Sequence, residues 1–421
     1  MQVSGPRNPK LRTACDRCYD LKERCERATT SARCARCKRL SLSCSTVRPV
    51  RPVGRRVHRE KDIVSGTTSS KRRKLEQYQP GIDAFLGVIP DQQPGEKELL
   101  LFLLSRPESL DQYVVCPSFQ AEQQQSLAFQ LRAALPSLKD AYLACAVTLK
   151  QLQYSTGTDV DPSISLGYIS KAMSALRALP VLRPQDIVLC HTLGSALAFS
   201  IYSAIGVGVP DICRYCLGTT SPFVGTAISG SHEDPWESFL ILMETTDCLV
   251  HRTTPIRRIQ APTAFVVDRH LGLCLPLMPY YHDICVISNS LLDTTDVSAL
   301  DRLHKQLDGI HTFVESWQPS CLNQLVEQFD SAEIINLLAQ AKVYRLGALL
   351  MSHRLRFPFG QEDVQAEIWS KEVMMELDLA KSVTNRSMRF VTLPFIIAAV
   401  EVRDESLRLK TLQRVNDYVD R

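Results

Sequence analysis

The chain has 421 residues, 45% of them hydrophobic and 22% charged, with a net charge of +4. That length allows two or three domains and a sizeable buried core, and it excludes a disulfide miniprotein or a lone peptide. The charge is unevenly placed: residues 1–80 carry 21 Lys and Arg against 7 Asp and Glu, a net of +14, while residues 81–421 carry a net of −10. A basic head gains free energy on a polyanion by displacing its condensed counterions, which points first to nucleic acid.

Residues 1–14 read as a basic N-terminal arm. Met1 to Arg12 hold three cations and no apolar run, so no secretory signal is expected and the chain is read as intracellular. In a reducing compartment the 15 cysteines are not a disulfide framework, and their spacing matters more than their number. Nine lie scattered from Cys116 to Cys321, mostly among apolar residues where a free thiol behaves as a small hydrophobe.

The other six, in residues 15–44, form Cys15-x2-Cys18-x6-Cys25-x8-Cys34-x2-Cys37-x6-Cys44, in which the block Cys-x2-Cys-x6-Cys occurs twice. Zinc bound by thiolates takes four ligands in a tetrahedron. Two zinc ions need eight sulfur contacts, which six cysteines supply only if two thiolates bridge both ions. A binuclear cluster therefore uses every cysteine, and the duplicated block implies pseudo-twofold symmetry. So short a segment has no core of its own, and its folding free energy must come from the metal.

Residues 45–95 turn to Pro, Gly, Ser, Thr and basic residues, as in Arg48-Pro49-Val50-Arg51-Pro52, and are expected to form a disordered basic linker. Within them Lys71, Arg72, Arg73 and Lys74 form a short run of the kind that nuclear import receptors bind. Residues 96–421 are expected to be one large all-α domain. Helical spacing covers Gln120 to Leu135, Ser137 to Gln153, Ile164 to Leu179, Trp236 to Val250, Val297 to Trp317 behind an Asp296 cap, Ala332 to Leu355, Val364 to Val383 and Pro394 to Val415. The uncharged run Ile187 to Pro210 contains His191, Thr192 and three serines, and is read as a buried core helix rather than a membrane span. Cys213-x2-Cys216 lacks a second pair and is read as core or loop cysteines. No phosphate loop, nucleophile elbow or His-Glu-x-x-His occurs, so no enzyme is expected.

The segments Ala14-Cys15-Asp16-Arg17-Cys18, Leu21-Lys22-Glu23-Arg24-Cys25 and Cys34-Ala35-Arg36-Cys37-Lys38-Arg39-Leu40, ending at Cys44, resemble the fungal Zn₂Cys₆ binuclear cluster transcription factors. The resemblance covers about 30 residues. It implies two Zn²⁺ per chain held by Cys15, Cys18, Cys25, Cys34, Cys37 and Cys44, with Cys15 and Cys34 bridging. It also implies that a short helix enters the DNA major groove over a CGG-like triplet. Lys22, three residues before the third cysteine, takes the place of the family's base-reading lysine, while Arg17, Arg24, Arg36, Lys38 and Arg39 are expected at phosphates. Leu21 and Tyr19 stand where many members carry basic residues, which leaves the triplet preference open.

The resulting expectation is a nuclear, zinc-dependent, sequence-specific regulator of transcription, of the kind that governs a fungal secondary-metabolite gene cluster. Its partners would be double-stranded DNA, an import receptor and the transcription machinery, with no membrane. Pro80 and Gly81 leave no room for a coiled coil beside the cluster, so any homodimer must form elsewhere. The rival reading is a zinc-organised protein-interaction scaffold without sequence-specific DNA readout.

Overall fold

The computed structural model describes residues 14–15, 18, 25–26, 32–45, 86, 93–153, 162–181, 183, 185–204, 208–223, 236–260, 265–320 and 322–419. The chain divides into two units, Met1–Thr68 and Ser69–Arg421. In the first, the described helix is the single turn α1 (Ala35–Arg39), capped by the Cys34 sulfur.

The second unit is helical, and among its described residues the β-structure is one isolated bridge, Asp268 to Gly272. Its helices are α2 (Pro94–Ser105), α3 (Gln120–Ala133), α4 (Leu135–Gln153), α5 (Pro162–Ala178), α6 (Gln185–Ala204), α7 (Val209–Thr220) and α8 (Glu237–His251). There follow α9 (Met278–Asp293), α10 (Val297–Ser316), α11 (Leu322–Gln328), α12 (Ser331–Arg356), α13 (Asp363–Thr384), α14 (Thr392–Val400), α15 (Glu405–Gln413) and α16 (Val415–Tyr418). In the first half α4 packs on α2, α5 and α6, and α7 lies along α6. In the second half α12 is the central element, flanked by α9, α10, α13 and α14.

Local chemistry sets many of the ends. Asp296 caps α10 by accepting from the Ser298 and Ala299 amides at 3.2 and 3.1 Å, as its position in the sequence predicts. Asp330 and Glu333 form a reciprocal capping box at the start of α12. Pro394 to Val415, expected as one helix, is instead three: α14 stops at Val400, and Asp404 caps a new start by accepting from the Leu407 amide at 2.8 Å. Apolar spacing runs through this break because α15 and α16 repeat the helical period from a new cap.

The uncharged run lies in α6, whose Leu193, Leu197 and Ala198 are buried. Most of its polar residues find partners within the fold: His191 Nε2 meets Thr220 Oγ1 at 2.9 Å, Ser195 donates to the Trp236 carbonyl at 3.3 Å, and Ser200 donates to the Ala196 carbonyl at 2.7 Å, whereas the Ser203 hydroxyl has none. By length and composition Asp186–Ala204 and Ser331–Arg356 are apolar enough to cross a membrane, and most of each is buried inside the helical unit. Cys213 and Cys216 sit on the buried face of α7. The stripe Leu337, Ala341, Tyr344 and Ala348 of α12 is also buried.

Candidate metal centre

Cys15, Cys18, Cys34 and Cys37 are buried, with their four sulfur atoms within 4.8 Å of one another. The Cys15 sulfur lies 3.8 Å from that of Cys34 and 3.9 Å from that of Cys37, and the Cys18 sulfur lies 3.8 Å from that of Cys34. Four thiolates around zinc at about 2.3 Å define a tetrahedron with edges of about 3.8 Å, so these separations suit a shared metal. All four groups are thiols, the donor type that zinc and other thiophilic ions favour.

The two sequence blocks adopt matching local geometry. The Cys18 amide donates to the Cys15 sulfur at 3.4 Å, and the Cys37 amide donates to the Cys34 sulfur at 3.4 Å. Cys25 and Cys44 join in the same way: the Cys15 amide donates to the Cys25 sulfur at 3.3 Å, and the Cys34 amide donates to the Cys44 sulfur at 3.4 Å. Exchanging the first block for the second maps each of these contacts onto another, and the Cys15 to Cys34 contact maps onto itself. The Cys-x2-Cys spacing produces this arrangement because one helical turn returns the second amide beneath the first sulfur.

Ionisation of the four buried thiols follows the same pairing. Burial resists charge on Cys15, but the Cys18 amide and the thiols of Cys18, Cys25 and Cys34 draw its thiol down to about 6. The Cys37 amide lowers Cys34, with burial opposing it. Cys18 is pushed up to about 12 by its contact with the Cys15 thiol and by burial, and Cys37 is raised by the Cys34 thiol and by burial. The two thiols whose ionisation is favoured are the central pair, one from each block.

Several backbone features were not visible in the sequence. The Ala35 amide donates to the Glu26 carbonyl at 3.0 Å, tying the two blocks together, and the Leu42 amide donates to the Cys37 carbonyl at 2.9 Å. Leu42 packs against the thiols. No side-chain pattern signals these contacts, since they are made by the main chain.

Of the expected nucleic-acid contacts, Arg36, Lys38 and Arg39 lie on α1, where Lys38 and Arg39 are exposed and Arg36 is half-buried. They surround Cys37 with positive charge. Lys22, Arg17, Arg24 and the run Lys71, Arg72, Arg73 and Lys74 lie outside the described residues, as does most of the 45–95 linker. The arrangement is a thiol cluster fit to hold zinc, with cations on the short helix that carries Cys37 and is capped by Cys34. No protein-family model matches the chain, and no curated protein or solved structure shows a significant match to it.

Proposed function

We propose that the chain is a zinc-dependent, sequence-specific DNA-binding regulator of transcription, with a Zn₂Cys₆ module at its N-terminus. The observation that carries this reading is the duplicated Cys-x2-Cys-x6-Cys block, whose halves converge on one thiol cluster with matching contacts. When bound, two zinc ions supply the cross-links that a segment of this size needs in order to fold. Cys15 and Cys34 would be shared between the two ions, with Cys18 and Cys25 completing the ligands of one and Cys37 and Cys44 those of the other.

Within this reading Lys22 specifies sequence by donating to guanine O6 and N7, the acceptor pair that marks G in the major groove. Arg17, Arg24, Arg36, Lys38 and Arg39 donate to phosphates, which positions the module without reading sequence. The Lys71 to Lys74 run serves nuclear import, and the helical unit is regulatory, joining the transcription machinery in control of a fungal secondary-metabolite gene cluster.

The test is selection from a random duplex DNA pool by the full-length protein near physiological salt, with a zinc-chelated control. A CGG-like triplet should be recovered only with zinc, and Lys22→Ala should relax the preference at a guanine, costing about 1–3 kcal/mol on that site. Zinc-loaded protein that enriches no sequence would overturn direct readout and favour the interaction scaffold.

A further inference from the structure

We propose that the helical unit holds a ligand site for a neutral, ring-bearing apolar molecule with a single hydrogen-bonding group, in the cavity walled by Phe199, Ser203, Phe239, Thr246, Phe390 and Ile396. Two cavities of about 240 Å³ each lie side by side here, sharing Thr246, Val250, Leu393 and Ile396 in their walls. Together they run between α6, α7 and α8 on one side and α12 and α14 on the other. Native interiors are close-packed, whereas small-molecule sites are apolar concavities with few polar groups, and this space has the size and lining of the latter.

The charge of the ligand follows from the charged groups in the walls, all of which are already paired. Asp247 meets His251 at 2.9 Å and Arg214 at 3.9 Å. Arg354 meets Glu401 at 2.6 Å and Asp363 at 2.8 Å. A charged ligand therefore finds no countercharge to complete, and its own desolvation opposes entry. Among the polar groups, Thr246 donates to the Leu242 carbonyl at 2.8 Å, and the Tyr344 hydroxyl donates to the Phe390 carbonyl at 2.7 Å. The Ser203 hydroxyl is buried with no hydrogen-bond partner, although its position on α6 offers it the usual carbonyl one turn back. It is a buried polar group in the wall available to a ligand's hydroxyl or carbonyl.

The backbone of the wall adds an independent sign. Phe390 has φ of +54°, a left-handed conformation that bulky side chains rarely adopt. Its ring packs edge-on against Phe239 and His270, 6.3 and 5.5 Å between centroids, and the Tyr344 hydroxyl holds its carbonyl. Strain of this kind persists where the surroundings over-determine a residue, and it is concentrated at ligand clamps and active sites.

The test is equilibrium dialysis of the zinc-loaded full-length protein against 2-naphthol, 2-naphthoate and naphthalene. The expected result is one saturable 2-naphthol site, with 2-naphthoate weaker by about tenfold or more. Ser203→Ala should weaken 2-naphthol by roughly three- to tenfold and leave naphthalene unchanged. Ile396→Trp, which enlarges a side chain in the wall that both cavities share, should abolish uptake of all three, with far-UV circular dichroism checking its fold. Non-saturable uptake, equal binding of naphthoate and naphthol, or a Ser203→Ala protein that binds naphthol like the parent would overturn the proposal, whatever the outcome for the tryptophan variant.

Discussion

His270 shows how one buried side chain ties stability to pH. Its ring packs among Tyr113, Phe239 and Phe390, and Nδ1 meets the Ser238 hydroxyl at 3.1 Å, while Nε2 is buried without a partner. Burial, aided by the charge of Arg269, lowers its imidazole to about 3. Above pH 6.5 the residue is neutral whether the chain is folded or not. Below that, the unfolded chain takes up a proton that the folded chain refuses, so stability falls as pH drops from 6.5 toward 3. In urea titrations at pH 7 and 4.5, the stability advantage of the parent over His270→Asn should therefore shrink at the lower pH, and parallel curves would contradict this. The cysteines were the most legible residues in the sequence, because metal ligation requires fixed residue types at fixed spacing. His270 was illegible: its neighbours come from residues 113, 238–239 and 390.

Among the elements, α12 depends on its first turn more than its length suggests. Glu333 accepts from the Asp330 amide at 3.0 Å, and also from the Ser118 amide and hydroxyl at 2.7 Å each, so one carboxylate both closes the cap and fastens the chain before α3. Glu333→Ala leaves these donors without an acceptor and should cost about 2–4 kcal/mol, read from the urea midpoint. Glu333→Gln keeps an acceptor but loses the charge and should cost roughly half as much. Equal losses would mean that packing rather than hydrogen bonding sets the effect. Helix α10, with both a cap and a long amphipathic period, could be read from the sequence, and α13 from its period alone. Helix α7 could not, because Gly208 and Pro210 read as the end of the preceding apolar run. In the fold Gly208, at φ of +83°, caps α7, and Pro210 occupies its first turn, where a missing amide donor costs nothing. Helices α2, α9 and the short α11 were also missed.

For the molecule as a whole, division into two units separates two sources of stability. The first unit relies on its thiol cluster, while the second has a continuous apolar core that includes none of those cysteines. Zinc removal with a strong chelator should therefore leave the main melting transition, followed by far-UV circular dichroism, within about 2 °C of its original position, and on the proposed function it should abolish DNA binding. A chelator-induced loss of that transition would show that the helical unit also needs the metal. The all-α character of this unit was legible from periodicity and the scarcity of strand patterns. Its paired cavities were not, since the walls draw on residues from Gln112 to Glu401 and arise only when both halves pack.

The central claim is that two sequence blocks close into one binuclear cluster, and native mass spectrometry of the full-length protein, combined with cysteine alkylation, tests it most directly. Two zinc ions per chain are predicted, with Cys15, Cys18, Cys25, Cys34, Cys37 and Cys44 all protected until the metal is chelated. A single zinc ion with Cys25 and Cys44 freely alkylated would contradict the account, leaving an isolated four-thiolate site of Cys15, Cys18, Cys34 and Cys37.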